Sequence, residues 1–272
     1  MNPIEQPQVS LARQYGEYEL RYHCKADPLG NTLGASVVAG LAVGLPEFNV
    51  RQYFSTQPTI FYDYDHVVTG YAAESGTAIG LLGARWLGSP ELRFLYLWTA
   101  MIADAYRHSH LFRRMVGYFF ERIAEEKGWS GMPTLVVTKT YSPVVYNLFR
   151  SATRGAEGVD IYPRICEGDQ DRGMVELAGQ IARAISPALV LDPDSGTVLG
   201  GQAMVAPDFF PRMEECNDAD VNEHFRLHLT RSDQILCIVK IAERVKKAMY
   251  LRMAARGASV AVTPTTGVGQ IA

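Results

Sequence analysis

Leu92-Arg93-Phe94-Leu95-Tyr96-Leu97-Trp98-Thr99-Ala100-Met101-Ile102-Ala103 is a long, nearly continuous apolar run, of the kind that forms a strand buried on both faces. A short polar junction follows, Asp104 to His110, and then the hydrophobic period changes. Phe112, Val116, Phe119, Phe120 and Ile123 fall on one helical stripe, with Arg113, Arg114, Glu121, Arg122, Glu125 and Glu126 elsewhere. Ser109 reads as the N-cap of this helix and Gly128 as its stop. Thr134-Leu135-Val136-Val137-Thr138 is a second, shorter buried strand. A strand, a helix and a returning strand make a crossover, so the two strands are expected to be parallel neighbours. They should splay at their C-terminal ends and open a cleft, as at other α/β switch points.

Upstream of the crossover the pattern reads as a meander. Thr59–Tyr64 is aromatic-rich and reads as a strand, Asp65-His66 as a turn, and Val67–Ala73 as the return strand. Glu74-Ser75-Gly76 turns into a third strand, Thr77–Leu87, and Gly88-Ser89-Pro90-Glu91 breaks before the long strand. Downstream, Ser142-Pro143 opens a helix carrying Val145, Tyr146, Leu148 and Phe149. The remainder reads as helix 174–185, a turn at Asp192–Gly196, strand 197–205, helix 219–229, strand 234–241 and helix 243–256. Before the meander, Tyr15–Cys24 alternates weakly like a strand, and Gly30–Gly44 reads as a loop feeding a buried helix. The expected fold class is α/β (α+β): a mixed β-sheet flanked by helices. The expected organisation is an N-terminal segment packed on the core (1–58), the core (59–165), an extension completing the sheet (166–256) and a flexible tail (257–272).

A chain of 272 residues holds one large domain or two small ones and buries a real core. Its 47% hydrophobic and 20% charged residues are ordinary for a globular protein. A net charge of -3 argues against a general nucleic-acid binder. Cys24, Cys166, Cys216 and Cys237 form no C-x-x-C pair, which fits neither a zinc ribbon nor a disulfide scaffold. A reducing, cytoplasmic setting is expected. The first seven residues lack the plan of a signal peptide. The longest apolar run, Ala35–Leu45, is far short of the ~20 residues of a membrane span, so no membrane partner is expected.

The junction after the long strand is where chemistry is expected. Unpaired N–H groups at a helix start, with the macrodipole, form an anion site, and Arg107, Arg113 and Arg114 add positive charge. A diphosphate suits such a place. The same residues also read as a helix start with a solvated basic first turn.

Two stretches here resemble the GNAT superfamily of acyl-CoA-dependent N-acyltransferases, and the resemblance covers about residues 59–152. Members usually carry Arg/Gln-x-x-Gly-x-Gly/Ala between a strand and the helix that holds the coenzyme A pyrophosphate. Tyr106-Arg107-His108-Ser109-His110-Leu111-Phe112 falls in that slot, with Arg107 on the first position and His110 and Phe112 on the two glycine positions. Ser142-Pro143-Val144-Val145-Tyr146-Asn147-Leu148-Phe149 is similar to the family's Asn-x-x-Ala-x-x-x-Tyr helix, with Ser142 on the Asn and Phe149 on the Tyr position. The resemblance implies a GNAT-like fold and N-acyltransferase (N-acetyltransferase) activity, with acetyl-CoA or another acyl-CoA as co-substrate, a small-molecule amine acceptor and no metal. It implies that Thr99, Ala100 and Met101 offer a backbone N–H to the thioester carbonyl, and that Arg107, His108, Ser109, His110, Leu111, Phe112, Arg113 and Arg114 hold the diphosphate. Phe149 lacks the family's hydroxyl, so Tyr146, one turn earlier, is expected to protonate the departing thiolate. His108 and His110 should make anion binding tighter at acid pH.

Glu74 and Asp104 sit beside strand ends, where a general base can work; each also reads as a turn or surface carboxylate. His224 and His228 have i, i+4 metal-binding spacing but no third ligand nearby, which leaves a helix face as the simpler reading. Lys240, Lys246 and Lys247 read as a charged helix face. There is no G-x-G-x-x-G, Walker loop or G-x-S-x-G elbow. The reading is an acyltransferase moving an acyl group from acyl-CoA to an amine or related nucleophile, with the tail supplying the last strands and a lid or homodimer surface. Two alternatives stay open: a GNAT-like transferase that uses acyl carrier protein or aminoacyl-tRNA as donor, and a non-catalytic binding module.

Overall fold

The computed structural model describes residues 11–107, 109–199, 213–230 and 232–258. In chain order the elements are β1 (Leu11–Tyr15), β2 (Tyr18–Cys24), α1 (Asn31–Gly44), α2 (Val50–Ser55), α3 (Ile60–Asp63), β3 (His66–Ala72), β4 (Ala78–Leu87), β5 (Phe94–Ile102), α4 (Leu111–Lys127), β6 (Leu135–Thr140), α5 (Pro143–Thr153), β7 (Val159–Tyr162), α6 (Arg172–Ile185), β8 (Val190–Leu191), β9 (Thr197–Leu199), α7 (Ala219–His228), β10 (Gln234–Ile241) and α8 (Lys246–Ala258).

One sheet runs in the order β1-β2-β3-β4-β5-β6-β10-β9-β8, with β7 also paired to β10. Every described pairing is antiparallel except β5 with β6. The crossover through α4 therefore yields the expected parallel pair inside a mixed sheet flanked by helices. Three apolar clusters hold the layers together. One lies beneath α4, α5, α7 and α8, a second on the opposite face beneath α1 and α2, and a third, also opposite α4, beneath α6.

Several local expectations are corrected. Residues 59–64 are not a strand: Ile60 and Tyr64 are both buried and lie four apart, while Tyr62 is exposed, which is helical spacing. The strand that precedes and pairs with β3 is instead β2, along its whole length, and β1 pairs antiparallel on β2's other edge. Gly30–Gly44 is almost wholly helix α1, packed on β4. Ser109 does not cap α4; its hydroxyl donates to the Tyr106 carbonyl at 2.7 Å, and His110 holds the cap position. The strand expected at 197–205 is described only as β9, the rest lying outside the described residues, as does nearly all of 257–272. No helix among the described residues is long and apolar enough to cross a membrane.

Two features bend β5 away from β6. Their pairing covers only Leu95–Leu97 against Val136–Thr138. Immediately beyond, β5 carries a bulge: Gly83 of β4 pairs with Thr99 but Ala84 with Leu97, leaving Trp98 as the extra residue. Gly83 is glycine for a steric reason, since a Cβ there would lie 2.4 Å from the Tyr64 ring. That ring, laid against the bulge, donates its hydroxyl to Thr99 Oγ1 at 2.6 Å.

Candidate functional site

The divergence of β5 and β6 opens a cleft of about 950 Å³, at the large end of the range typical of small-molecule sites. Its walls are the ends of β5 (Tyr96–Ile102) and β6 (Thr138–Thr140), the start of α5, residues of α2, and the segment 213–217. His110, Phe112 and Arg113, at the N-terminus of α4, line it as well.

The backbone directions in β5 follow from one hydrogen bond. Ala103 donates its N–H to the Ile79 carbonyl of the neighbouring chain segment at 2.8 Å. Met101 and Thr99 pair with Leu81 and Gly83 in the same register. Backbone groups alternate sides along an antiparallel pair, so Thr99, Met101 and Ala103 face β4. Ala100 and Ile102 therefore turn their N–H and C=O toward the cleft, past the point where β6 has left. The long contact from Arg107 Nε to the Ile102 carbonyl, 3.4 Å, agrees with this direction.

The rim is built by α4. His110 is its N-cap, with φ 62°, and no side chain caps the helix. The Arg114 N–H reaches back to the His110 carbonyl at 3.0 Å; the N–H groups of Leu111, Phe112 and Arg113 belong to the first turn and have no intrahelical acceptor. Arg113 is exposed on the rim and makes no ion pair among the described residues. His110 occupies a left-handed conformation that glycine adopts freely and L side chains adopt at a cost of about 1–2 kcal/mol. The loop thus keeps the path of a glycine without being one. His110→Gly should stabilise the protein by about 1 kcal/mol in urea unfolding, part of the strain relief being offset by unfolded-state entropy; an unchanged or lower midpoint would contradict this.

The sequence-derived candidates separate into those at the cleft and those elsewhere. Thr99, Ala100, Met101, Arg107, His110, Phe112 and Arg113 line it. Arg107 is already engaged: it pairs with Asp104 at 2.9 Å and with Glu214, and its guanidinium lies over the Phe48 ring. Asp104 is that arginine's partner and does not itself line the cleft. Arg114 points the other way, 7% exposed, donating to the Tyr18 hydroxyl at 2.9 Å beneath the aromatic rings of Tyr15 and Tyr18. Leu111 is fully buried core. Ser109 is spent on its own turn, and His108 lies outside the described residues. Glu74 sits in the exposed turn between β3 and β4, away from the cleft.

Tyr146 is also displaced from the expected role. It has no exposure, and its hydroxyl donates to the Pro163 carbonyl at 2.7 Å. Burial pushes its phenol pKa up strongly. Val144, Val145, Asn147 and Leu148 line the cleft while Tyr146 and Phe149 face the core. Tyr146→Phe should therefore cost about 1–2 kcal/mol, for the orphaned carbonyl, and leave turnover within threefold of wild type. A tenfold loss of rate at unchanged fold would restore the tyrosine to the chemistry.

Tyr53 and Lys139 also line the cleft and were not legible as site residues. Thr99 Oγ1 bridges Tyr64 and Tyr53, at 2.6 and 3.2 Å, which fixes the bulge against α2. Lys139, half-buried on β6, has its ammonium pKa pushed down to about 8 by burial. Elsewhere, the His224 ring nitrogen Nε2 bonds the Ser195 carbonyl at 2.9 Å and its ring packs on His228, so the pair is a helix face. No group of three metal-ligating residues occurs among the described residues.

No protein-family model and no curated protein matches the chain. Among solved structures it is similar to a GNAT family N-acetyltransferase from Escherichia coli in complex with CoA, at 16% identity and TM-score 0.36, covering 50% of this chain and 69% of that one. An acetyltransferase of GNAT family from Staphylococcus aureus Mu50 aligns at 12% identity and TM-score 0.37, over 53% of this chain and 87% of that one. The NatC complex bound to Gag peptide and CoA aligns at 12% identity and TM-score 0.35, over 82% and 99%.

Proposed function

We propose that this chain is an acyltransferase that takes an acyl group from a coenzyme A thioester bound in the β5/β6 cleft and passes it to an amine. The observation that supports this reading most strongly is a coincidence of two features. The parallel strands stop pairing after Leu97 and Thr138, and the open N-terminus of a 17-residue helix stands at the mouth of the gap they leave. A pantetheine arm is an extended chain with two amides, and it suits a strand-wide gap whose edge offers the N–H and C=O of Ala100 and Ile102. Its diphosphate suits the first-turn amides of α4, where the macrodipole and Arg113 favour negative charge.

In this reading the Ala100 N–H polarises the thioester carbonyl and stabilises the oxyanion formed when the amine attacks. The cleft holds donor and acceptor together, which supplies the orientational part of the rate enhancement. Arg107 acts through Asp104 and Glu214 by tying the strand end to the segment 213–217, and its charge is spent on those two carboxylates.

The reading is tested by following release of free thiol from acetyl-CoA in the presence of a panel of primary amines. Amine-dependent thiol release is the expected result. CoA binding without transfer from any donor would favour a binding module, and transfer only from an acylated carrier protein would favour the alternative donor.

A further inference from the structure

Lys139 stands at the fork of the cleft. The last pair between β5 and β6 is Leu97 with Thr138, and Lys139 is the next residue of β6. Side chains alternate along a strand, so Lys139 shares a face with Leu135 and Val137, the face packed with Phe94 and Tyr96 against α6. Helix α4 covers the other face, with Met115 and Phe119 over Leu95, Leu97 and Val136. An acyl donor anchored at α4 and threaded through the gap therefore brings its thioester out beside Lys139.

Resting on the acyl-thioester reading of the cleft, we infer that Lys139 is itself an acyl acceptor, a self-modification site within the cleft. Its Nζ lone pair adds to the thioester carbonyl carbon and the C–N bond forms. The C–S bond then breaks, sulfur leaves with the electron pair as the CoA thiolate, and the proton lost from nitrogen neutralises that thiolate. The products are an acylated lysine and free CoA, and no further reactant is needed.

Three other nucleophiles of the cleft are held in their unreactive forms. Burial raises the pKa of Cys216, Tyr53 and Tyr96, keeping thiol and phenols protonated. Burial acts oppositely on a lysine, because its charged form is the protonated one. With its pKa near 8, about a quarter of Lys139 is free amine at pH 7.5, against roughly 0.1% for a lysine at the reference value. Lower intrinsic basicity takes back part of that advantage, and proximity to the bound thioester adds to it. The amide product is stable and leaves the lysine acylated and uncharged on the acceptor side of the cleft, so modification should block further turnover.

The test incubates the full chain with acetyl-CoA at pH 7.5 and maps acetylated lysines against time by mass spectrometry, with CoA binding measured calorimetrically on the same sample. Lys139 should be acetylated at least about tenfold faster than the exposed Lys25 and Lys240, which serve as internal references. Its rate should level off above pH 8. Lys139→Arg should bind CoA and show no preferential site. Binding of CoA with Lys139 unmodified, or modified no faster than the references, overturns this inference alone. Absence of CoA binding overturns it together with the reading of the cleft.

Discussion

Ala100→Pro should lower the rate of acyl transfer by about 10²–10³-fold, the usual cost of losing one oxyanion donor. Proline in the middle of a sheet normally destroys a ladder hydrogen bond, but at this position the N–H faces the cleft and no strand accepts it. Both neighbours, Thr99 and Met101, keep their bonds to β4. The variant should fold, with a thermal midpoint close to wild type, and should bind CoA nearly as well, since the diphosphate site on α4 is untouched. The loss should fall on kcat, because the missing interaction strengthens as the oxyanion forms. Ala100→Gly retains the N–H and is the matched control; it should stay within about tenfold of wild type. Equal rates for the two variants would mean that the Ala100 amide takes no part.

Acidification should destabilise the protein steeply between pH 6.5 and 4 through a buried network on the α4 face of the sheet, where β2 and β3 meet the C-terminal end of that helix. Trp86 donates its indole N–H to His66 Nε2 at 3.2 Å. That nitrogen is therefore the acceptor, and Nδ1 carries the proton, donating to the Tyr22 hydroxyl at 2.6 Å; Tyr22 in turn donates to Glu126 at 2.8 Å. His66 is 2% exposed, and burial pushes its pKa down to about 4 despite the nearby carboxylates of Glu126 and Asp65. Between that value and the unfolded-state value of about 6.5, the unfolded chain binds the additional proton, so stability falls as pH falls. The shift corresponds to roughly 3 kcal/mol. Glu126 acts in the same direction: burial pushes its pKa up, but hydrogen bonds from Lys127 and Tyr22 outweigh burial and lower it, so its contribution is present at neutral pH and lost as the carboxylate is protonated. Urea midpoints at pH 7 and pH 4.5 for wild type and His66→Gln measure the effect. Wild type should lose more than the variant by a large part of that 3 kcal/mol, and identical losses would place the acid sensitivity elsewhere.

The crossover was legible because its three parts carry unambiguous periods. Leu92–Ala103 is apolar but for Arg93 and Thr99, the helix that follows buries Met115, Val116, Phe119, Phe120 and Ile123, and Val136–Val137 is a short buried run. Residues 59–64 misled because aromatic residues favour strands, and the four-residue spacing of Ile60 and Tyr64 is visible only once burial is known. The separation of Arg113 from Arg114 was legible, since neighbouring helical positions do not share a face: Arg114 is three residues from Leu111 and four from Tyr118, both buried, and so sits on the core stripe. The role expected of Tyr146 rests on its hydroxyl and its place one turn before Phe149, whereas the buried stripe of the helix is Tyr146, Phe149, Arg150 and Thr153. Lys139 was missed because a charged residue ended the apolar run, yet Thr138-Lys139-Thr140 continues the strand's alternation. The tie between Arg107 and Glu214 spans 107 residues of sequence and left no local signal.

The central claim is that the gap between β5 and β6 is the donor site, and amide hydrogen exchange with and without saturating acetyl-CoA, whose thioester carbonyl the Ala100 N–H would meet, tests it most directly. The N–H groups of Ala100, Ile102, Leu111, Phe112 and Arg113 have no acceptor among the described residues, so they should exchange quickly in the free protein. Bound pantetheine and diphosphate should slow these five amides together, by about tenfold or more, while Met101 and Ala103, already bonded to the β4 side, change little. Protection confined to another surface, or acetyl-CoA binding that leaves Ala100 and Ile102 exchanging at their free rates, would contradict the account.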